Sequence, residues 1–270
     1  MTAAADPGTV AVHRRVEMIM GMPISLAVRR TDGVRAGLDA AWAEVVADLR
    51  EIDRIFSTYR NDSIISRLGR GEIVLDQCPP EVGEVFGIGA EANRRSGGSF
   101  SIMLPTDDGP RLDPTGVVKG WAVERVSQLL TELDDVDFCL SAGGDMVCHT
   151  ATEQSPPWRI GIEDPRDPTK IIAVVPVSCG AVATSGASRR GEHIVDARTG
   201  RPPTGIASVT VIADSLTRAD VDATAAYALG CDAVDWLARQ SGLLALVVEP
   251  DGHCITVDNR TGTPKIIGRP

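Results

Sequence analysis

Apolar positions recur along this chain in two periods. Between residues 35 and 58, Leu38, Trp42, Val45, Val46, Leu49, Ile52 and Phe56 fall three and four apart, which places one stripe on one helical face. One long amphipathic helix lying against a sheet is predicted there. Upstream, Val10, Val12, Val16 and Met18, then Ile24, Leu26 and Val28, alternate partially around Gly21-Met22-Pro23, so the chain opens on two extended segments arranged as a hairpin. Short helices are predicted after Asn61-Asp62-Ser63 and after Pro79-Pro80, the second running towards the breaker Gly97-Gly98. Residues 117–133 are again helical in period.

Beyond that helix the pattern turns to strands. Residues 138–140 and Val147 flank Gly143-Gly144, and further strands are predicted at 158–162, 171–177, 181–184 and 206–213, between turns rich in Pro, Gly and Asp. Helix returns at 219–229 and 233–239. Residues 243–248 and 254–257, joined at Pro250-Asp251-Gly252, read as a hairpin, and the tail from 259 to 270 as loop. Strands and helices without strict β-α-β alternation specify an α+β fold, mixed sheets flanked by helices, rather than a doubly wound parallel sheet. No repeat, low-complexity run or linker divides the chain, so residues 1–270 are read as one domain.

Composition narrows the classes of function. The 270 residues, 43% hydrophobic with a mean hydropathy of +0.01, suit a globular protein with a sizeable core. Lysine and arginine number 27 against 37 aspartates and glutamates, a formal charge of -10, which is the wrong sign for neutralising a nucleic-acid backbone. A single nucleotide is not excluded, because it answers to local groups such as a helix N-terminus, one lysine or a metal. The six cysteines are scattered with no C-x-x-C pair, so zinc-ribbon and thioredoxin spacings are absent and reduced thiols are expected. The N-terminal stretch lacks the basic flank and apolar run of an export signal, and no segment approaches the ~18 apolar residues of a membrane span. A cytoplasmic protein without membrane insertion is expected.

Five segments concentrate groups that a fold alone does not require. Asp113-Pro114-Thr115-Gly116-Val117-Val118-Lys119-Gly120 is a turn running into a helix, where backbone N–H groups and Lys119 favour an anion, and where Asp113 and Pro114 equally serve as a plain helix start. Ser141-Ala142-Gly143-Gly144-Asp145 reads first as a tight hairpin. Ala183-Thr184-Ser185-Gly186, followed by Arg189 and Arg190, offers hydroxyls and cations spaced to face a phosphate, although loop polarity explains it as well. His193-Ile194-Val195-Asp196-Ala197-Arg198-Thr199-Gly200 carries an imidazole able to accept a proton from a hydroxyl, or simply a solvated histidine. In Ala219-Asp220-Val221-Asp222-Ala223-Thr224, Asp220 and Thr224 are four apart on one helical face, a hard-oxygen pair suited to Mg²⁺; the same carboxylates would also serve the helix dipole.

Two other patterns are rejected. Gly87-Ile88-Gly89-Ala90-Glu91-Ala92 fits a dinucleotide fingerprint, but its flanking residues are helical and the required strand is missing. Ser185 with His193 lacks a G-x-S-x-G elbow and a carboxylate to orient the histidine, which leaves no serine-hydrolase site.

Taken in order, these segments resemble the ApbE family of FAD:protein FMN transferases over about residues 20–230. Met20-Gly21-Met22 resembles the motif of its entry strand, Ser57-Thr58-Tyr59-Arg60-Asn61-Asp62-Ser63 its flavin-contacting segment, and Asp113 to Ala122 its Asp-x-x-Gly-x-x-Lys-Gly turn. The resemblance implies that Met20, Tyr59, Asp113, Lys119 and Val195 contact FAD, with the Tyr59 ring near the isoalloxazine. It implies that Asp220, Thr224 and the Gly116 carbonyl hold Mg²⁺. It further implies that a threonine or serine hydroxyl of an acceptor protein with an FMN-binding domain attacks the FMN phosphorus of FAD, releasing AMP, with His193 accepting the proton. FAD is then a substrate rather than a retained redox group. Two departures stand out. Phe100-Ser101 occupies the place of the family's Phe-Asp, so Ser99, Phe100 and Ser101 would bind through backbone and hydroxyls. Ala223 replaces a second acidic residue before the threonine, with Asp222 one residue earlier. A Mg²⁺-dependent FAD diphosphatase yielding FMN and AMP, and a non-catalytic FAD-binding protein, remain the rival readings.

Overall fold

Two strands, β1 (Val12–Ile19) and β2 (Met22–Arg30), begin the described chain, paired from Val12 against Arg29 to Ile19 against Met22. That register leaves Met20 and Gly21 as a two-residue turn with φ of 54° and 71°. Positive φ at both centres is the type I′ requirement, met by glycine at the second position and by some strain at Met20. The computed structural model describes residues 12–30, 35–188, 191 and 193–268.

Helix α1 (Arg35–Phe56) buries Leu38, Trp42, Val45, Leu49, Ile52 and Phe56, the stripe that the periodicity predicts. Helix α2 (Ile64–Gly69) is capped by Ser63, whose Oγ accepts from the Ser66 N–H at 3.0 Å. Helix α3 (Pro80–Arg95) begins on proline and contains the whole Gly87 to Ala92 fingerprint, which is therefore no strand-to-helix turn. A small ladder of β3 (Met103–Leu104) and β4 (Arg111–Leu112) leads into α4 (Thr115–Thr131). The remaining strands are β5 (Val136–Ala142), β6 (Asp145–His149), β7 (Trp158–Asp164), β8 (Asp167–Val177), β9 (Gly180–Gly186) and β10 (Ser208–Ala213). Helices α5 (Leu216–Leu229) and α6 (Ala233–Leu237) follow, then β11 (Leu244–Val248), β12 (Cys254–Asp258) and β13 (Lys265–Ile267).

Among the described residues, nine strands form one sheet in the order β1-β2-β5-β6-β9-β10-β11-β12-β13, every pairing antiparallel. Strand alternation divides its faces. Phe138 and Leu140 join the main core under the helices, whereas Cys139 points the other way, where the β7–β8 hairpin covers it with Ile160 and Val177. Cys139 and Cys148 are cross-strand partners with sulfurs 3.8 Å apart, and all six cysteines are free thiols. The adjoining Cys139 thiol and burial push the Cys148 thiol up, so it stays protonated. The tail expected to be loop instead adds β13 to the sheet edge, because Lys265 to Ile267 pair with Thr256 to Asp258.

Candidate functional site

Two helices set the floor of the site. Gly120 lets α4 approach α5 closely: a Cβ there would lie 2.8 Å from both the Leu216 carbonyl oxygen and the Asp220 Cβ. The Gly120 N–H donates to Asp220 Oδ2 at 2.9 Å. In a regular helix that N–H serves the Gly116 carbonyl, which therefore at most shares its partner. One turn above on α4, Glu124 accepts from Ser215 Oγ at 2.8 Å and from the Thr217 N–H at 2.9 Å, so the register of the two helices is tied twice.

Between these helices and the sheet sits a charge cluster. Lys119 Nζ lies 3.0 Å from Asp220 Oδ1 and makes a short contact with Asp145 Oδ2. Both aspartates are 2% exposed. Asp145 Oδ1 accepts from the Thr184 N–H of β9 at 2.8 Å, which fixes it to the sheet. Asp145 ends the two-residue Gly143-Gly144 turn, whose φ values of 60° and 110° confirm the hairpin expected from the glycine pair. Its segment is one of the five singled out in the sequence, but no role falls to Asp145 itself there. Asp222, two residues from Asp220, points away from the cluster: it is fully buried and held by Arg95 at 2.6 Å and Arg218 at 3.3 Å.

A cavity of about 170 Å³ opens over this cluster. Of the residues singled out in the sequence, Ser99, Phe100, Ser101, Asp113, Gly116, Lys119, His193, Val195, Asp220 and Thr224 line it, drawn from four separate stretches of chain. Asp145 and Ser185 line it too. Met20 and Tyr59 are not among the lining residues; Met20 packs against the core beside the β1–β2 turn, and Tyr59 is 96% exposed. Arg189 and Arg190 lie outside the described residues.

The walls differ in how they are held. The Phe100 carbonyl accepts from Asn93 Nδ2 at 2.7 Å and its N–H donates to Ser96 Oγ at 3.1 Å, which clamps Ser99 to Ser101. Ser99 Oγ is buried with no hydrogen-bond partner among the described residues, an orphan donor on the cavity lining. Asp113 accepts from the Thr115 N–H at 3.2 Å and hydroxyl at 2.6 Å and pairs with Arg111 at 3.1 Å. Opposite, His193 is exposed, with Nδ1 3.0 Å from the Gly191 carbonyl. A carbonyl only accepts, so Nδ1 donates to it, and the neutral ring would offer Nε2 as its acceptor. Ser185 Oγ lies 3.1 Å from Thr224 Oγ1, which joins β9 to α5.

The donor set fits a hard cation. Asp220 and Thr224 stand one turn apart on α5, and Gly116 faces Thr224, with a built Cβ 3.8 Å from Thr224 Cγ2. Carboxylate, hydroxyl and carbonyl oxygens are the ligands Mg²⁺ takes, and a single carboxylate leaves positions for water and phosphate oxygens. Among the described lining residues, Asp145 and Asp220 share the one ammonium of Lys119, which leaves a formal charge of −1 there, while Asp113 pairs with Arg111. A divalent cation there would offset the remaining negative charge beside an anionic ligand.

Known proteins share both the sequence and the architecture. The FAD:protein FMN transferase of Salmonella typhimurium is 28% identical over 152 residues, 53% of this chain and 43% of that protein. The Treponema pallidum protein of the same name is 33% identical over 162 residues, 53% of this chain and 45% of its own length. The matches thus span less than half the length of these curated relatives. The fold is that of the flavin transferase ApbE from Vibrio cholerae, with a TM-score of 0.77 at 22% identity over 94% of this chain and all of that one. The ApbE protein of Thermotoga maritima also gives 0.77, at 21% identity over 90% of this chain and 96% of that one. The sequence profile of the ApbE family matches residues 20–106 and 103–247, so it takes in every element from the Met20 turn to α5 that builds the pocket. The chain belongs to the ApbE family.

Proposed function

We propose that the protein transfers the FMN half of FAD to a threonine or serine hydroxyl of an acceptor protein, with Mg²⁺ and with release of AMP. The observation that carries this reading is the convergence in one cavity of a hard-oxygen set (Gly116, Asp220, Thr224), a lysine and an imidazole carried on a separate loop. The names of the curated relatives support the same activity. Asp220, Thr224 and the Gly116 carbonyl would hold the cation, which when bound supplies charge neutralisation of the diphosphate. Lys119 adds one positive charge beside the phosphates. Ser99 offers its orphan hydroxyl, and Phe100 and Ser101 frame the nucleotide through backbone already clamped by Asn93 and Ser96. His193 Nε2 takes the proton of the acceptor hydroxyl as its oxygen bonds to the FMN phosphorus and AMP leaves. The Tyr59 ring is open to solvent and suited to stack on a flat ligand, and Met20 and Val195 border the flavin.

The acceptor is a protein with an FMN-binding domain that lies in, or faces, the cytoplasm. No helix among the described residues is long and apolar enough to cross a membrane. The test is a mass spectrum of such an acceptor after incubation with the protein, FAD and Mg²⁺. The expected result is a covalent FMN adduct that disappears with chelator and in His193→Ala. AMP and free FMN without an adduct would replace transfer by hydrolysis, and bound but intact FAD would leave only a binding protein.

A further inference from the structure

Asp145 and Asp220 approach Lys119 from different elements, β6 and α5, and in the same manner. Each commits one carboxylate oxygen to a backbone N–H of a different element, Thr184 on β9 for Asp145 and Gly120 on α4 for Asp220, and turns the other oxygen to the ammonium. With Oδ2 of Asp220 held by Gly120, Oδ1 is the oxygen left to a divalent cation, and Oδ1 is where Lys119 sits at 3.0 Å. Ammonium and metal therefore compete for one atom. A carboxylate only 2% exposed is costly without a counter-charge, so some cation has to stand at Asp220 before a metal arrives.

We propose that Lys119 is the resident counter-ion of the cation site in the metal-free protein, and that Asp145 is the positioning residue onto which it withdraws when a divalent cation takes Asp220. The inference rests on the metal role given above to Asp220. Asp145 is well placed to receive the ammonium, since it is fixed to β9 rather than to either helix and its own Oδ2 already touches Nζ. The exchange leaves neither buried carboxylate bare, and it keeps Lys119 on the cavity lining, where its charge faces the phosphates. Asp145 thereby lowers the cost of metal binding without being a ligand.

The test is a Mn²⁺ titration of the protein alone, followed by electron paramagnetic resonance, for the parent chain, Lys119→Met and Asp145→Asn. Lys119→Met should bind Mn²⁺ about tenfold or more tightly, because it removes the competing charge. Asp145→Asn keeps an acceptor for Thr184 but leaves Lys119 with Asp220 as its one carboxylate, and should bind about tenfold more weakly. A merely structural role for either residue would move both affinities down. Thermal melts give the second readout: saturating Mn²⁺ should raise the melting temperature of Lys119→Met more than that of the parent. Should Lys119→Met not fold, Asp145→Asn decides, and unchanged or tighter binding overturns the proposal. Weaker binding by Lys119→Met overturns it while leaving the metal site standing, whereas no binding by any of the three removes the metal reading as well.

Discussion

The pocket wall made by α4 and α5 and the wall made by the loop after β9 hold their groups by different means. Asp220, Gly116 and Thr224 sit on helices packed through Gly120, tied again at Glu124, and set in the main core. His193 stands exposed on a loop, oriented by the Gly191 carbonyl. Groups that bind a cation must be preorganised against desolvation, and only the core can do that; a base that meets an incoming protein hydroxyl has to face outwards. The two walls should therefore respond differently to substitution.

His193→Ala is expected to show the largest effect and to separate the walls most cleanly. Transfer should fall by ~10²–10⁴-fold while FAD affinity and melting temperature stay at parent values, because a base is lost and no packing with it. Single-turnover adduct formation beside equilibrium FAD binding measures this. An equal loss of FAD affinity would mean that the loop binds nucleotide rather than moving a proton.

Asp222→Ala turns the comparison inside one helix. Asp222 is fully buried between Arg95 and Arg218, so its loss should cost about 3 kcal/mol of stability, the penalty of removing the buried carboxylate that joins two partly buried guanidinium groups. Metal affinity should persist, since Asp222 faces away from the cavity. Urea unfolding together with Mn²⁺ titration distinguishes this from a ligand role. Gly120→Ala should cost somewhat less, about 2 kcal/mol, from a methyl group forced against Leu216 and Asp220. It should lower metal affinity as well, because the displaced helix carries Asp220 with it.

The same contrast explains what could be read from the chain. The α1 stripe, the Met20-Gly21 turn and the Ser63 cap are local, set by residues within a turn of one another, and each is legible. Helix α4 is harder: Val117, Val118, Trp121, Ala122 and Val123 are all buried, so its apolar residues surround the axis, and its first turn at Thr115 and Gly116 escaped the period. Asp222 could be seen as a carboxylate but not as the partner of Arg95, 127 residues away. Asp145 was likewise visible only as the end of a glycine turn, since Lys119 and Thr184 reach it through tertiary packing. The site residues came from seven weak motifs in order, a signal that periodicity does not contain. Strand β13 went unseen because an edge strand exposed on both faces carries no alternation.

The smallest expected effect tests how the exposed wall is braced. Asp196 ends the His-x-x-Asp stretch and is gripped by Arg198, with Nε to Oδ1 at 2.9 Å and an ion pair at 2.7 Å. The same turn is pinned by the Ala197 N–H donating to the Ser99 carbonyl at 2.9 Å, so it joins two segments that line the cavity. The guanidinium holds the Asp196 carboxyl below the usual carboxylate range. A depressed carboxylate contributes stability that is fully present above the unfolded value of about 3.9 and is lost as pH falls through the folded value. Arg198→Ala should therefore cost under ~1 kcal/mol at neutral pH, since the pair is partly screened by solvent. The gap between parent and variant should hold from neutral pH to about pH 4 and narrow as urea unfolding is repeated below it. A gap that holds constant with pH would show that Arg198 acts by packing its stem along the turn. A gap that appears in transfer rate but not in stability would show that the pair serves to aim His193, three residues before Asp196 on the same loop.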